Sequence, residues 1–363
     1  MKKYFALCIF ALLIILAACQ AVTPVTSPTA EPAPTQAGPL TLTVMTHDSF
    51  AVSKEVIETF EQNNQIKVSF IKGGDVGKAL NTLILSSKAG TPPADVFYGV
   101  DNTFLSQALE NKIFESYAAP ALKDIDSSFI LDPQNEALPI DYGDVCINYD
   151  KAYFKEHNLP VPAALEQLVD PIYKNMLVVE NPATSSPGLS FLLATIAKMG
   201  SENAMTWWSA MKENGLVVVN DWETAYYTNF SASSGKGAQP MVVSYASSPA
   251  AEYIYADPKV DEAPTASITE NGSCWRQIEF AGILKGTKNR AAAEKFIDFM
   301  LSLPFQEDMP MQMFVYPVVA GAKLPAEFTK ASQVPAAPSS LAPEIIAKNR
   351  TNYIDAWMKL MSK

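Results

Sequence analysis

The stretch Leu40-Thr41-Leu42-Thr43-Val44-Met45-Thr46-His47-Asp48-Ser49 alternates apolar and polar residues and then breaks into a polar loop. A period of two predicts a strand, here running into a turn. Ser53 stands where a helix cap belongs, and Val56, Ile57 and Phe60 fall on one helical face behind it. Ile66 to Ile71 reads as a second strand, Gly73-Gly74-Asp75 as a turn, and Gly77 to Ser87 as a second helix with Leu80, Leu83 and Ile84 inward. Ala94 to Val100, apolar on both faces, is a third strand. Strand, helix, strand, helix, strand predicts a mostly parallel α/β sheet. Ligands of such sheets lie outside the carboxyl ends of the strands. Those ends carry His47-Asp48-Ser49, Gly73-Gly74-Asp75 and Asp101-Asn102.

The pattern recurs further along. Ile140 to Tyr149 reads as a strand leaving the first lobe, and Ala163 to Val169 as a helical zone. Leu177 to Val179 is a strand entering Asn181-Pro-Ala-Thr-Ser-Ser-Pro-Gly-Leu-Ser190. Ser185 and Ser186 precede Pro187, and Leu189, Phe191, Leu192, Leu193 and Ile196 follow, so a helix is expected from about Ser186. A helix start with two hydroxyls beside it is either an ordinary cap or an anion cradle. Leu216 to Val219 and Met241 to Ser244 are strands ending at Asn220-Asp221-Trp222 and Tyr245-Ala246-Ser247-Ser248-Pro249. Ile278 to Leu284 carries the chain back to the first lobe; Arg290 to Leu301 and Ala342 to Met361 are amphipathic helices. Two such lobes, joined by two crossings, form a hinged cleft suited to a small ligand.

The bulk numbers narrow the function. With 27 Lys and Arg against 38 Asp and Glu, the net charge is -11, a poor basis for nucleic-acid binding but compatible with a cationic small ligand. Two histidines, His47 and His157, cannot build a His-rich metal centre, and the four cysteines form no C-x-x-C pair. Lys2 and Lys3, an apolar run from Tyr4 to Leu16, and then Ala17-Ala18-Cys19 read as an export signal with a bacterial lipobox, making Cys19 the expected lipidation site. Gln20 to Pro39, rich in Pro, Thr and Ala, reads as a flexible tether. The protein is therefore expected outside the cytoplasm, on a membrane through its lipid alone. In that compartment Cys146 and Cys274 can pair.

Several motifs in one order resemble a known family: Thr46-His47-Asp48-Ser49-Phe50, Val100-Asp101-Asn102, Asp141-Tyr142-Gly143, Thr184-Ser185-Ser186-Pro187-Gly188-Leu189, Asn220-Asp221-Trp222-Glu223-Thr224-Ala225-Tyr226, Ser244 to Pro249, and Val315-Tyr316-Pro317-Val318. Together they resemble the periplasmic thiamine-binding proteins of ABC transporters, which have the type II periplasmic-binding-protein fold. The resemblance implies ligand contacts at Asp75, at the Ser185-Ser186 pair on the phosphate side, at Trp222, and along Tyr245, Ala246, Ser247, Ser248 and Pro249. Three positions differ from the family pattern. His47 and Ala251 stand where the family has ring-sandwiching tyrosines, and Val76 replaces a Gly. His47 is retained as a candidate contact, and Tyr253 and Tyr255 follow shortly after Ala251.

The expected organisation is a signal peptide over 1–19, a tether over 20–39, lobe one over 40–143 and 280–341, lobe two over 144–279, and a terminal helix over 342–363. The expected function is capture of thiamine or a thiamine phosphate, without bond chemistry or a cofactor. Delivery would be to the transmembrane subunits of an ABC permease, by a monomer. Trp222 and Tyr245 are alternatively packing residues, Asp75 a turn former, Asp101 a helix cap and Asp141 a hinge residue. Two other functions are weighed: the same fold binding another cationic or pyrimidine-like heterocycle or ferric ion, and a tethered hydrolase whose base would be His47 or His157.

Overall fold

The computed structural model describes residues 40–233, 237–269 and 272–362. The expected export signal, Cys19 and the tether lie outside the described residues. The chain runs β1 (Leu40–Thr46), α1 (Lys54–Asn64), β2 (Ile66–Lys72), α2 (Val76–Lys88), β3 (Val96–Asp101), α3 (Leu105–Glu110) and β4 (Phe114–Glu115). Next come β5 (Leu138–Asp150), α4 (Lys151–Glu156), β6 (Leu177–Glu180), α5 (Ser186–Met199), α6 (Ser201–Glu213), β7 (Val217–Val219), β8 (Met241–Tyr245), α7 (Ser248–Ile254), β9 (Thr265–Ile268) and β10 (Trp275–Leu284). It closes with α8 (Arg290–Met300), α9 (Leu303–Gln312), β11 (Tyr316–Pro317), α10 (Ala326–Ala331) and α11 (Pro343–Met361).

The sheet runs in the order β2-β1-β3-β10-β5-β8-β6-β7. β1 pairs in parallel with β2 and β3, and β6 in parallel with β7 and β8. Between these parallel halves lie β5 and β10, antiparallel to each other. Both are long because each serves two neighbours: β5 meets β10 over Leu138–Val145 and β8 over Val145–Tyr149. Apolar residues cover both faces. Leu42, Val44, Phe60, Phe296 and Phe305 fill one core under α1, α8 and α9. Leu80, Leu83, Phe191, Trp208 and Trp357 belong to the other, with α2, α5, α6 and α11 around them. No helix among the described residues is long and apolar enough to cross a membrane.

The two connecting strands are bound covalently and by charge. Cys146 of β5 and Cys274, just before β10, form a disulfide. Arg276 of β10 donates two hydrogen bonds, 2.8 and 2.9 Å, to the buried Asp144 of β5. Three local expectations differ from what folds. Ala163 to Val169 makes only a 3-10 turn, Leu165–Val169. The Asp101 carboxylate accepts from the Thr103 amide at 2.7 Å and so forms a turn, while Phe104 occupies the cap of α3. Ser53 sits at the cap of α1, but its hydroxyl turns to Asp308.

Candidate functional site

A cleft of about 890 Å³ opens where the parallel strands end. β1 delivers His47, Asp48 and Ser49; β2 delivers Asp75; β6 leads to Ser186; β7 leads to Trp222; and β8 ends on Tyr245. This volume suits a small organic ligand, pockets for which span roughly 300–1,000 Å³. A shallower depression beside Tyr149, Lys151, Phe154 and Pro160 gathers no comparable set of converging polar groups among the described residues.

An aromatic wall forms one side. Trp222 stacks on Tyr226 with centroids 5.0 Å apart and planes 17° from parallel, and Tyr245 stands 6.5 Å from Trp222. The Trp222 indole N–H donates to Ser244 Oγ at 3.0 Å, and Ser244 Oγ lies 2.9 Å from Ser248 Oγ. Tyr226 and Tyr227 ride on a single π-helical turn, Thr224–Asn229, a rare backbone form common at functional sites. The Tyr245 hydroxyl accepts from Gln277 at 3.0 Å. Two glycines make room for rings at the site. A Cβ on Gly143 of β5 would lie 2.8 Å from the Tyr245 ring, and one on Gly99 of β3, at φ +110, would lie 2.5 Å from the His47 ring.

Asp75 joins the two halves of the site. Its carboxylate caps α2 through the Val76 amide at 2.7 Å and accepts the Trp222 amide at 3.3 Å. Burial pushes it up to about 6, against the pull of Ser185 and the Val76, Trp222 and Ser186 amides. Part of Asp75 is open to the cleft, and water there tempers the rise. Ser185 Oγ approaches this carboxylate without the geometry of a full hydrogen bond. The Ser186 hydroxyl donates to the buried Asp101. Glu180, 1 % exposed, is pushed well up by burial and by the neighbouring Asp75 and Asp221. The start of α5 is thus surrounded by carboxyl groups, and the hydroxyl expected to receive an anion is already engaged.

The floor holds a second carboxyl group. Glu279 of β10 faces the cleft, and the Tyr98 hydroxyl donates to Asp141 and lies 3.1 Å from Glu279. Burial first, and Asp141 second, push Glu279 well above the usual carboxylate range. His47 Nε2 lies 3.6 Å from Glu279 Oε1, but burial and then the Lys72 cation lower the imidazole to about 3. At neutral pH the imidazole is therefore uncharged, and this approach is not an ion pair. No serine hydroxyl hydrogen-bonds either imidazole among the described residues; His157 stacks on Tyr153 at the end of α4.

Of the residues singled out in the sequence, His47, Asp75, Ser186, Trp222, Tyr245 and Ser248 line one cleft. Ser185, Ala246, Ser247 and Pro249 are buried behind it. Ala246 packs on the Cys146–Cys274 bridge, and Ser247 Oγ donates to the Phe314 carbonyl. Ala251 and Tyr255 line the cleft, whereas the Tyr253 hydroxyl pairs with Lys330 at 2.7 Å. Tyr227, Glu252, Glu279 and Phe314 were not singled out. The Tyr-Tyr pair following Trp222 was the one readable signal among them. Glu252, which accepts from the Tyr226 hydroxyl at 2.8 Å, has no pattern around it. Asp48, Asp75, Glu223, Glu252, Asp257 and Glu279 line the cleft, and no Lys or Arg does among the described residues.

Residues 91–341 match the family model for bacterial extracellular solute-binding proteins. The thiamine-binding periplasmic protein of Salmonella typhimurium is 31% identical over 336 residues, spanning 91% of this chain and 96% of that protein. A solved periplasmic thiamin binding protein superposes with a TM-score of 0.77 at 28% identity, covering 89% of this chain and 96% of the other. The ferric binding protein from Campylobacter jejuni, 20% identical, shares the fold with a TM-score of 0.71, covering 88% of this chain and 99% of that one. The architecture is that of a type II periplasmic-binding protein.

Proposed function

The chain belongs to the bacterial extracellular solute-binding protein family, and from that premise we propose that it captures thiamine or a thiamine phosphate in the cleft. The observation that carries this reading is a cleft with a stacked Trp222–Tyr226 pair, six carboxyl groups and no lining Lys or Arg among the described residues. Thiamine offers a permanently cationic thiazolium and a flat aminopyrimidine. A cation over an aromatic face gains about 0.5 kcal/mol when exposed and about 2 or more when desolvated. Asp75 or Glu223 can balance the charge or accept from the exocyclic amine. Relatives that carry the name thiamine-binding periplasmic protein point the same way. We further propose that two lobes, joined by β5 and β10, close over the ligand. A lipid on Cys19 would hold the protein at the membrane, where an ABC permease receives the cargo.

Calorimetry of the exported domain against thiamine, its mono- and diphosphate, the bare aminopyrimidine and ferric citrate tests the assignment. Thiamine or an ester is expected to bind below about 10 µM, equivalent to roughly -7 kcal/mol. Binding of ferric ion alone, or of none of these, sinks the thiamine reading. Within a thiamine-binding protein, Trp222→Ala is expected to weaken binding by at least about 1 kcal/mol, the order of ring stacking. Unchanged affinity would make Trp222 a packing residue.

A further inference from the structure

Phe314, between α9 and β11, has φ +55. That is the left-handed region, which Gly and Asn enter readily and bulky residues rarely do. Such strain persists only where the surroundings impose it, and it concentrates at functional positions. Here the surroundings are identifiable. Ser247, fully buried beside Ala246, donates its hydroxyl to the Phe314 carbonyl. Phe314 packs on the small apolar cluster of Ala250, Tyr316 and Phe328, yet it stays half-buried and lines the cleft. It meets Tyr255 edge-to-face at 5.8 Å, with Phe328 6.5 Å away. Tyr255 also lines the cleft and is 68% exposed. It lies four residues after Ala251, one helical turn further along the same face. No ring contact among the described residues links this pair to Trp222, Tyr226 or Tyr245, so the cleft has two separate aromatic groups.

We propose that Phe314, backed by Tyr255, is the second stacking plate of the cleft and selects for flat aromatic cations. The inference rests on the reading of the ligand as thiamine-like, and adds to it a residue that determines specificity. The backbone strain at Phe314 then has a use. The Ser247 hydrogen bond holds the Phe314 backbone in this left-handed conformation, with the residue at the cleft lining.

The test measures thiamine dissociation constants and ligand-free thermal midpoints for the full chain carrying Phe314→Asn, Phe314→Leu or Phe314→Trp. Asn tolerates the left-handed backbone, so its variant is expected to fold with a midpoint near that of the wild type while its dissociation constant rises about tenfold or more. Leu keeps bulk without a π face and is expected to show the same loss, which covers the case in which the Asn variant does not fold. Trp is expected to bind within about threefold of the wild type. Wild-type affinity in the Asn or Leu variant overturns the proposal while leaving the thiamine reading intact. Equal loss in all three, Trp included, reduces Phe314 to a structural role and also overturns it. A wild-type protein that does not bind thiamine overturns the parent reading and this one with it.

Discussion

Asp75 shows how one side chain can be both structure and site. Its carboxylate caps α2 and receives the Trp222 amide, yet burial raises it from the ordinary 3.8 to about 6. A carboxyl raised in the folded state binds its proton more tightly there than in the unfolded chain. Its contribution to stability is therefore most favourable below about 4 and is lost as pH climbs through about 6. A cationic ligand has the opposite interest, because it gains from the ionised form. Thiamine affinity should accordingly rise between pH 5 and pH 7. Asp75→Asn, which keeps a cap on α2, should flatten that slope and weaken binding at pH 7 without lowering ligand-free stability. Titration calorimetry at three pH values reads both; an unaltered slope in the variant would place the titration elsewhere. The neighbouring α5 start carries a related expectation. Since Asp101 holds the Ser186 hydroxyl and no cation lines the cleft among the described residues, the dianionic tail of thiamine diphosphate meets carboxyl groups. Thiamine should bind at least as tightly as its diphosphate in the same calorimeter, and tighter diphosphate binding would refute that ordering.

At the scale of elements, strands β5 and β8 place the Tyr245 ring against Gly143, where a Cβ would intrude to 2.8 Å. Gly143→Ala should therefore displace the Tyr245 ring. Overpacking of this kind costs about 1–3 kcal/mol of stability, and thiamine affinity should fall with it; denaturation and binding curves matching the wild type would show the ring had room to move. This is also where the limits of the sequence are clearest. β1, β2, β6, α5 and α11 were legible because their apolar residues keep one period and their ends carry Ser, Pro or Gly signals. Asp75, Trp222 and Tyr245 were legible for a related reason: each stands at or just past the end of a parallel strand, where such folds put ligands. The π-helical turn at Thr224–Asn229 was not, because Tyr226 and Tyr227 fit an ordinary helix equally well. Glu279 was hidden for another reason. It sits inside the apolar-looking β10, and only the pairing of that strand with β3 and β5 places it beside Asp141 and Tyr98. The engagement of the Ser186 hydroxyl was not legible either, since Asp101, its partner, stands 85 residues away in the sequence.

For the whole molecule, the two connecting strands decide both how well it holds and how far it can bend. They are the pieces of sheet shared by the two parallel halves, so any closure must be taken up at or near them. The Cys146–Cys274 bridge ties them across a sequence separation of 128 and lies directly behind Ala246, in the loop that follows Tyr245. A cross-link over so long a loop chiefly restricts the unfolded chain; loss of such a bridge typically costs about 2–5 kcal/mol. Replacement of both cysteines by Ala avoids burying hydroxyls at two fully buried positions. The double variant should lose stability on that order in denaturant, with a steeper denaturant slope because the unlinked unfolded chain exposes more surface. Its cleft residues have their own hydrogen bonds, Trp222 to Ser244 and Tyr245 to Gln277, none of which needs the bridge. Ligand should therefore still rescue it: at a hundred times the dissociation constant, binding restores about 2.7 kcal/mol. A variant as stable as the wild type would mean that the unfolded chain does not feel the constraint. A variant destabilised on schedule but deaf to thiamine would mean that the bridge shapes the Tyr245 loop as well as restraining the chain.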